Sequence, residues 1–193
     1  MIQVVSTIMT KNKSTRDFVW KLVMGGQGGV GKTTILHRFV HGEFIADTKL
    51  TIGVDFHKKV VEQQGCSIEM VLWDLGGQEH FKNLHDSYLR GASGGFVCFD
   101  LTQRPSLDRS RDWIAMFRKS DPGMPILLVG TKYDLIENDP GGYNAAVEDA
   151  NAIVEQYGLL GLTITSAKTN LNVDETILYL TGAILCASTP VVQ

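Results

Sequence analysis

One glycine-rich segment of the sequence combines a lysine and a threonine at a fixed spacing. Residues 26–33 read GQGGVGKT, which fits the pattern G-x-x-x-x-G-K-[ST], between an apolar run and a helical pattern. Backbone N–H groups can converge on phosphate oxygens only where the residues are free of Cβ clashes. Lys32 adds a full positive charge, and the Thr33 hydroxyl can ligate Mg²⁺. The segment therefore predicts a phosphate-binding loop between a strand and a helix.

A second segment places a carboxylate directly after an apolar run. Residues 71–74 read VLWD and are followed by LGGQE. A carboxylate at the carboxyl end of a sheet strand lies where ligands bind in α/β proteins, so Asp74 can hold Mg²⁺, directly or through a water molecule. The paired glycines allow a backbone N–H to approach a terminal phosphate, and Gln78 is placed to orient a water molecule. The segment predicts the metal-binding part of a phosphate site.

A third pair of segments has the chemistry to recognise a base. Residues 130–134 (GTKYD) follow a buried apolar run, and Asp134 can accept hydrogen bonds from the N1–H and 2-amino groups of guanine. Adenine offers no such pair of donors, so it would leave a buried acid unpaired. Residues 165–168 (TSAK) end the last predicted strand and can add a backbone N–H and a lysine stem. Together the two segments predict a guanine pocket.

The elements that must position these segments alternate between strands and helices. Short apolar runs predict six strands, at residues 18–24, 54–63, 67–74, 94–101, 125–131 and 162–167. Helical patterns predict five helices, at residues 31–42, 80–91, 105–119, 144–158 and 172–187. This alternation predicts an α/β fold, in which a six-stranded and mostly parallel sheet has helices on both faces.

Length and composition restrict the class of protein further. The chain has 193 residues, 44% of them hydrophobic, and a net charge of -3, which suit a single soluble domain. We predict a flexible extension at residues 1–17, one globular domain at 18–187 and a short tail at 188–193. The charge balance supplies no basic stripe, so nucleic-acid binding is not expected. Three widely spaced cysteines form no CxxC motif, which favours a reducing cytoplasm.

With the three motifs in this order, the chain resembles the small GTPases of the Ras superfamily over about residues 18–187. The run TIGVDF at residues 51–56 looks Rab-like, whereas WDLGGQE and GTKYDL are similar to Arf-like proteins and to the GTPases of septation-initiation signalling. The resemblance implies the P-loop NTPase fold of a small G domain. It also implies a switch that binds GTP or GDP with Mg²⁺ and hydrolyses GTP, in signalling or vesicle trafficking.

The resemblance also implies a role for each matching residue. Thr33 and Thr51 would supply hydroxyl ligands to Mg²⁺, and Asp74 would bind the ion through water. Lys32 and Gln78 would carry the hydrolysis, with Gln78 positioning the attacking water. The implied phosphate-binding residues are Gly28, Gly29, Val30, Gly31, Lys32, Thr33, Thr34 and Gly77. The implied guanine-binding residues are Phe44, Thr131, Lys132, Asp134, Ser166, Ala167 and Lys168, of which Thr131 stands where most relatives have Asn.

Partners that sense the nucleotide are implied as well. Effectors, GTPase-activating proteins and exchange factors would bind the two switch regions, residues 44–56 and 74–90. Phe56, Trp73 and Phe81 are candidates for an apolar patch there, although each could equally belong to the core. Cys186 lies too far from the end for a C-a-a-X signal, and residue 2 is Ile, so no lipid anchor is expected and membrane contact would at most be peripheral. We expect a cytoplasmic monomer.

Two other functions stay open from the sequence. A different P-loop enzyme, an ATPase or a nucleotide kinase, would explain residues 26–33 but would leave the TKYD and SAK segments as coincidences. A non-catalytic scaffold would hold a guanine nucleotide without turnover, although Lys32, Thr51 and Gln78 are all present. Competition by GTP but not ATP tests the first alternative, and phosphate release under single-turnover conditions tests the second.

Overall fold

The computed structural model describes residues 17–46, 50–77 and 87–188. Six strands form one sheet in the order β2-β3-β1-β4-β5-β6. They are β1 (Phe18–Gly26), β2 (Val54–Gln63), β3 (Cys66–Leu75), β4 (Gly94–Asp100), β5 (Ile126–Thr131) and β6 (Gly161–Ile164). The edge strand β2 runs antiparallel to β3, and the other pairs are parallel. The predicted six-stranded, mostly parallel sheet is confirmed.

Helices cover both faces of this sheet. They are α1 (Lys32–His41), α2 (Arg104–Asp108), α3 (Ser110–Ser120), α4 (Pro140–Tyr157) and α5 (Val173–Ser188). Side chains of successive β1 residues point to opposite faces of the sheet, because side chains alternate along a strand. Leu22 and Met24 pack in one buried cluster with α1 and α5, whereas Val23 packs in a second cluster with α3 and α4. The central strands are therefore buried on both faces, which is why they read as continuous apolar runs.

Several element boundaries differ from the predicted ones. The predicted helix at 105–119 is two helices, α2 and α3, which meet at Arg109. α4 begins at Pro140 rather than at residue 144, because the Asp139 side chain accepts a hydrogen bond from the Gly142 backbone N–H and proline suits the first helical turn. β6 ends at Ile164, and Ser166 instead pairs with Leu171 in an isolated bridge.

Some predicted features lie outside the described residues. They include most of the predicted helix at 80–91, of which residues 87–89 are described as helical, and nearly all of the extension at 1–17 and of the tail at 188–193. The three cysteines are free thiols, and the cytoplasmic location stays a prediction. Within the described ranges, no helix combines the length and apolar character needed to cross a membrane.

Candidate functional site

The predicted phosphate-binding loop joins β1 to α1, as the sequence indicates. Gly31, just before α1, has φ 99°, a left-handed conformation that side chains with a Cβ rarely adopt. Lys32 is only 5% exposed, and its ammonium group donates hydrogen bonds to the carbonyl oxygens of Gly26 (2.9 Å) and Gln27 (3.1 Å). Burial lowers the pKa of Lys32. The loop therefore holds a buried cation at the amino end of a helix, where backbone N–H groups also favour an anion.

Three side-chain oxygens from separate elements converge beside this loop. The Thr33 hydroxyl donates a hydrogen bond to Asp74 Oδ2, the Thr51 hydroxyl lies 3.1 Å from the same oxygen, and the two hydroxyl oxygens are 2.8 Å apart. Asp74 is fully buried, and its other oxygen, Oδ1, has no hydrogen-bond partner. Burial raises the pKa of the Asp74 carboxyl, with Thr33 and Lys32 opposing the shift. Burial of a carboxylate with an unpaired oxygen is costly, and a cation bound at that oxygen would offset the cost.

The donor set of this cluster fits Mg²⁺. All three groups are oxygen donors, which this ion prefers, and only one of them is a carboxylate. Mg²⁺ is commonly held by one or two carboxylates together with substrate phosphates, rather than by a cage made wholly of protein groups. In the described ranges, no group of three His, Cys, Asp or Glu side chains is arranged to hold a metal.

Two backbone segments close over the phosphate loop. The N–H of Gly76, just after β3, donates a hydrogen bond of 2.8 Å to the Gly53 carbonyl oxygen, just before β2. Gly77 lies so close to the loop that a Cβ there would overlap the Gly28 nitrogen. Both predicted switch regions therefore contact the phosphate site, and residue 77 must be glycine for this approach. Gln78, the predicted water-positioning residue, lies outside the described residues.

Thr131 ties the guanine side of the site to the phosphate loop. Its hydroxyl oxygen lies 2.6 Å from the Val30 carbonyl oxygen and 2.9 Å from the Phe99 carbonyl oxygen. The residue is buried at the end of β5. The Thr131 side chain therefore forms a hydrogen bond with the phosphate loop.

Asp134 is held in place by the segment after β6. Its Oδ1 accepts a hydrogen bond of 2.6 Å from the Ser166 hydroxyl, and its Oδ2 lies 4.0 Å from the Lys168 ammonium nitrogen. The Asp134 side chain is 9% exposed. A carboxylate fixed in this way at a cavity edge can accept hydrogen bonds from a ligand without first reorganising.

Two adjoining cavities contain most of the predicted site residues. The phosphate cavity has a volume of about 230 Å³ and the base cavity about 400 Å³, which suits a small-molecule ligand. The phosphate cavity is lined by Gly28, Gly29, Gly31, Lys32, Thr33, Thr34, Ala46, Leu50, Thr51, Gly77 and Lys132. The base cavity is lined by Gly31, Thr34, Ile35, Phe44, Ala46, Thr131, Lys132, Asp134, Leu135, Ala167 and Lys168.

Among the described residues, three of the predicted site residues line neither cavity. Val30, Asp74 and Ser166 are buried behind the lining residues, and Asp74 and Ser166 contact lining residues through their side chains. Sequence reasoning missed Asp100, which ends β4 and forms an ion pair of 2.8 Å with Lys132. The signal was present, because Asp100 follows an apolar strand just as Asp74 does.

An aromatic surface lies beside the switch segments. The ring centroid of Trp73 is 5.7 Å from that of Phe56 and 5.9 Å from that of Tyr88, and Phe56 is 59% exposed. The Lys21 ammonium nitrogen lies 4.1 Å from the Trp73 ring centroid. Phe56 therefore belongs to a surface patch, as one of the two predicted alternatives holds, and Trp73 is partly buried beneath it. Phe81 is outside the described residues.

A glycine-rich loop between β1 and α1, with site residues at the ends of β3 and β5, defines a P-loop nucleotide-binding fold. Residues 21–186 match the model of the Ras family. The chain is 34% identical to the Ras-related protein Rab-19 of Xenopus laevis over 174 residues, which cover 90% of this chain and 80% of that protein. It is 38% identical to the Ras-related protein RGP2 of Oryza sativa subsp. japonica over 160 residues, covering 82% and 71%.

The chain therefore belongs to the Ras family of small GTPases. Members of this family are GTP-binding proteins of signalling and trafficking that generally hydrolyse GTP, use Mg²⁺ and act together with regulators and effectors. The similarity to Rab proteins agrees with the Rab-like run at residues 51–56.

Proposed function

We propose that this protein binds GTP and GDP with Mg²⁺ in the two adjoining cavities, hydrolyses GTP to GDP and phosphate, and acts as a switch in signalling or vesicle trafficking. The observation that carries the proposal is the meeting of Thr33, Thr51 and Asp74 beside the buried Lys32. A site that combines a buried ammonium with a buried carboxylate suits a ligand that carries both phosphate groups and a divalent metal ion.

Guanine would be recognised by Asp134. The carboxylate would accept hydrogen bonds from N1–H and the 2-amino group, while Ser166 holds one of its oxygens in position. Phe44 and the stem of Lys132 line the base cavity and would contact the base. Adenine would offer no hydrogen-bond donors to the largely buried Asp134 carboxylate, so guanine would be preferred.

The phosphates would lie along the loop and Lys32. The Lys32 ammonium now donates to two loop carbonyls, so it is already held over the place where phosphate oxygens would bind. Thr33, Thr51 and Asp74 would hold Mg²⁺, which when bound neutralises charge on the phosphate oxygens. Phosphoryl transfer depends mainly on positioning and electrostatic stabilisation, and we propose that Gln78 orients the attacking water.

Switching would follow from where Thr51 and Gly77 lie in the chain. Each belongs to a loop that reaches the phosphate site from outside the central strands, so loss of the third phosphate would release both loops. Partners that bind residues 44–56 and 74–90 would then distinguish the two states. The aromatic surface of Phe56, Trp73 and Tyr88 supplies apolar area for such a partner.

Hydrolysis would be slow until a partner protein assists. None of the described residues that line the phosphate cavity is an arginine. We propose that a GTPase-activating protein supplies one, an effect of about 10³–10⁵ in rate for enzymes of this kind. Space exists beside Gly28, where the nearest atom to an added Cβ would be Leu50 Cδ2 at 3.8 Å.

Nucleotide extraction from the purified protein, followed by chromatography, tests binding directly. We expect GDP or GTP, and excess GTP but not ATP should displace a labelled guanine nucleotide. Displacement by ATP would instead indicate an ATPase or a nucleotide kinase. Single-turnover phosphate release then tests catalysis, because binding without release would indicate a scaffold.

Two variants test the proposed roles within the site. Gly28→Val and Gln78→Leu should retain GTP binding but suppress hydrolysis stimulated by a partner, since one fills the space beside the phosphates and the other removes the water-orienting amide. Asp112→Asn, on the exposed surface of α3, is the control and should behave like the unaltered protein. Normal stimulated turnover in both site variants would refute these roles.

A further inference from the structure

We propose that Asp100 is a positioning residue for nucleotide binding. It holds the Lys132 side chain in the place where that side chain lines both the phosphate cavity and the base cavity. The inference rests on the proposed function, because it assigns a role in binding the nucleotide. Asp100 itself lines neither of these two cavities, whereas Lys132 lines both. Asp100 is therefore not in direct contact with a ligand in these cavities, and Lys132 is the neighbour that would transmit its effect.

The carboxylate of Asp100 is itself held firmly. The residue ends β4 and is 3% exposed. Its Oδ1 accepts hydrogen bonds from the Thr102 backbone N–H (2.9 Å) and hydroxyl (2.7 Å), and its backbone N–H donates to the Ser106 hydroxyl oxygen (2.9 Å). Its remaining oxygen, Oδ2, lies 2.8 Å from the Lys132 ammonium nitrogen. A fixed, buried acceptor of this kind makes a strong charge-assisted hydrogen bond.

Lys132 has an unusual backbone conformation, and its side chain lies beside the phosphate loop. Its φ of 60° is in the left-handed region, which residues other than glycine rarely adopt, and its Cε would lie 3.9 Å from a Cβ at Gly31. The stem therefore runs beside the last glycine of the phosphate loop. Lysine side chains have many rotamers, and the ion pair to Asp100 selects one in which the apolar stem lies along the cavities.

The physical consequence is preorganisation of the base side of the site. Without Asp100, the Lys132 ammonium would turn toward solvent or toward the cavities, because its side chain is already one-third exposed. The nucleotide would then have to order the lysine on binding, which weakens affinity without any change in direct ligand contacts.

A double-mutant cycle on the dissociation rate of fluorescent GDP tests this role. The four proteins are the unaltered chain, Asp100→Asn, Lys132→Met and the double variant, each measured in Mg²⁺ with excess unlabelled GDP. We expect Asp100→Asn to release GDP about tenfold faster, on the scale of a lost charge-assisted hydrogen bond. In the Lys132→Met background the same substitution should have no further effect, because the two residues act as a unit.

A second substitution covers the case in which Asp100→Asn does not fold, as thermal unfolding would reveal. Thr102→Val removes one hydrogen bond to Asp100 Oδ1 and leaves the ion pair, so GDP release should become about two- to threefold faster, again only when Lys132 is present. Asp108→Asn, on the exposed side of α2, is the matched control and should not alter the rate.

The outcomes separate this inference from the proposed function. Equal acceleration by Asp100→Asn with and without Lys132, or no acceleration at all, overturns the positioning role alone. If Asp100→Asn does not fold, equal effects of Thr102→Val in the two backgrounds, or no effect, have the same meaning. Absence of GDP binding by the unaltered protein overturns the proposed function and this inference with it.

Discussion

The base end and the phosphate end of the site are held together in different ways. At the base end, side chains at or after the ends of strands bond to partners that the protein itself supplies: Thr131 to Val30, Lys132 to Asp100, and Asp134 to Ser166. At the phosphate end, Thr51, Gly76 and Gly77 come from loops, and Asp74 Oδ1 is buried without a partner.

This difference implies different responses to the ligand. At the base end, Thr131, Lys132 and Asp134 each have a polar partner within the protein, so its shape should persist when the nucleotide changes. The phosphate end places a buried carboxylate near a buried ammonium, and Thr51 and Gly77 reach it from loops rather than from strands. Its closed arrangement should therefore depend on Mg²⁺ and on the number of phosphates, as a switch requires.

The largest expected effect comes from replacing the Asp134 carboxylate, which is the proposed hydrogen-bond acceptor for guanine at the base end. In Asp134→Asn an amide N–H₂ replaces one carboxylate oxygen and opposes the donors of guanine, so GDP affinity should fall by about 100-fold or more. Xanthosine diphosphate should bind better in compensation, because its 2-oxo group accepts from the new amide. Titration calorimetry with both nucleotides measures this exchange. Asp112→Asn is the control, and undiminished GDP affinity in Asp134→Asn would contradict the assignment.

A smaller effect is expected from loosening the phosphate end. Thr51→Val keeps the volume of the side chain but removes the hydroxyl that meets Asp74, so the preference for a non-hydrolysable GTP analogue over GDP should fall about tenfold. The ratio of the two dissociation constants in Mg²⁺ measures the preference. Thr163→Val, on the edge strand β6, serves as the matched control. An unchanged ratio for Thr51→Val would mean that Thr51 does not sense the third phosphate.

The smallest expected effect sharpens the comparison without substituting a residue at either end. Cys98 is fully buried in β4 beside Gly26 of the phosphate loop, and burial raises the pKa of its thiol to about 12. At pH 8 only about one part in ten thousand would be thiolate, so a thiol reagent should label the exposed Cys186 first.

Removing the nucleotide and Mg²⁺ should then speed Cys98 labelling a few-fold, because the phosphate end loosens and exposes the strand behind it. Mass spectrometry of labelled peptides follows each cysteine separately, and Cys186→Ser removes the fast site as a control. Labelling of Cys98 as fast as that of Cys186 in the ligand-bound protein would show that the phosphate end is open even when it is filled.

The phosphate loop is the part of the site that the sequence predicts most directly, because it is built from neighbouring residues. The phosphate loop occupies residues 26–33, and glycine positions, lysine and threonine all lie within one local motif. The start of α4 was also readable in principle, because Asp139 and Pro140 form a common helix start, yet the prediction began the helix at residue 144. The water-positioning role of Gln78 stays a prediction, because this residue lies outside the described ranges.

Long-range contacts could not be predicted in the same way. Thr131 bonds to Val30, which is 101 positions away in the chain, and Asp100 meets Lys132 across two neighbouring strands. The break between α2 and α3 at Arg109 likewise carries no proline or glycine as a local signal. No periodicity in the sequence reports which residues meet after the chain has folded back on itself.

By itself the sequence determined the α/β class, the phosphate loop and the residue types available for metal and base, because each depends on local spacing and on the alternation of apolar runs. Only the tertiary structure decided that β1 lies between β3 and β4, with β5 beside β4. That order brings Thr33, Asp74 and Thr51 together at one end of the sheet and sets Asp100 against Lys132. The physical reason is that strand neighbours are chosen by packing both faces of the whole sheet, a condition that no single segment contains.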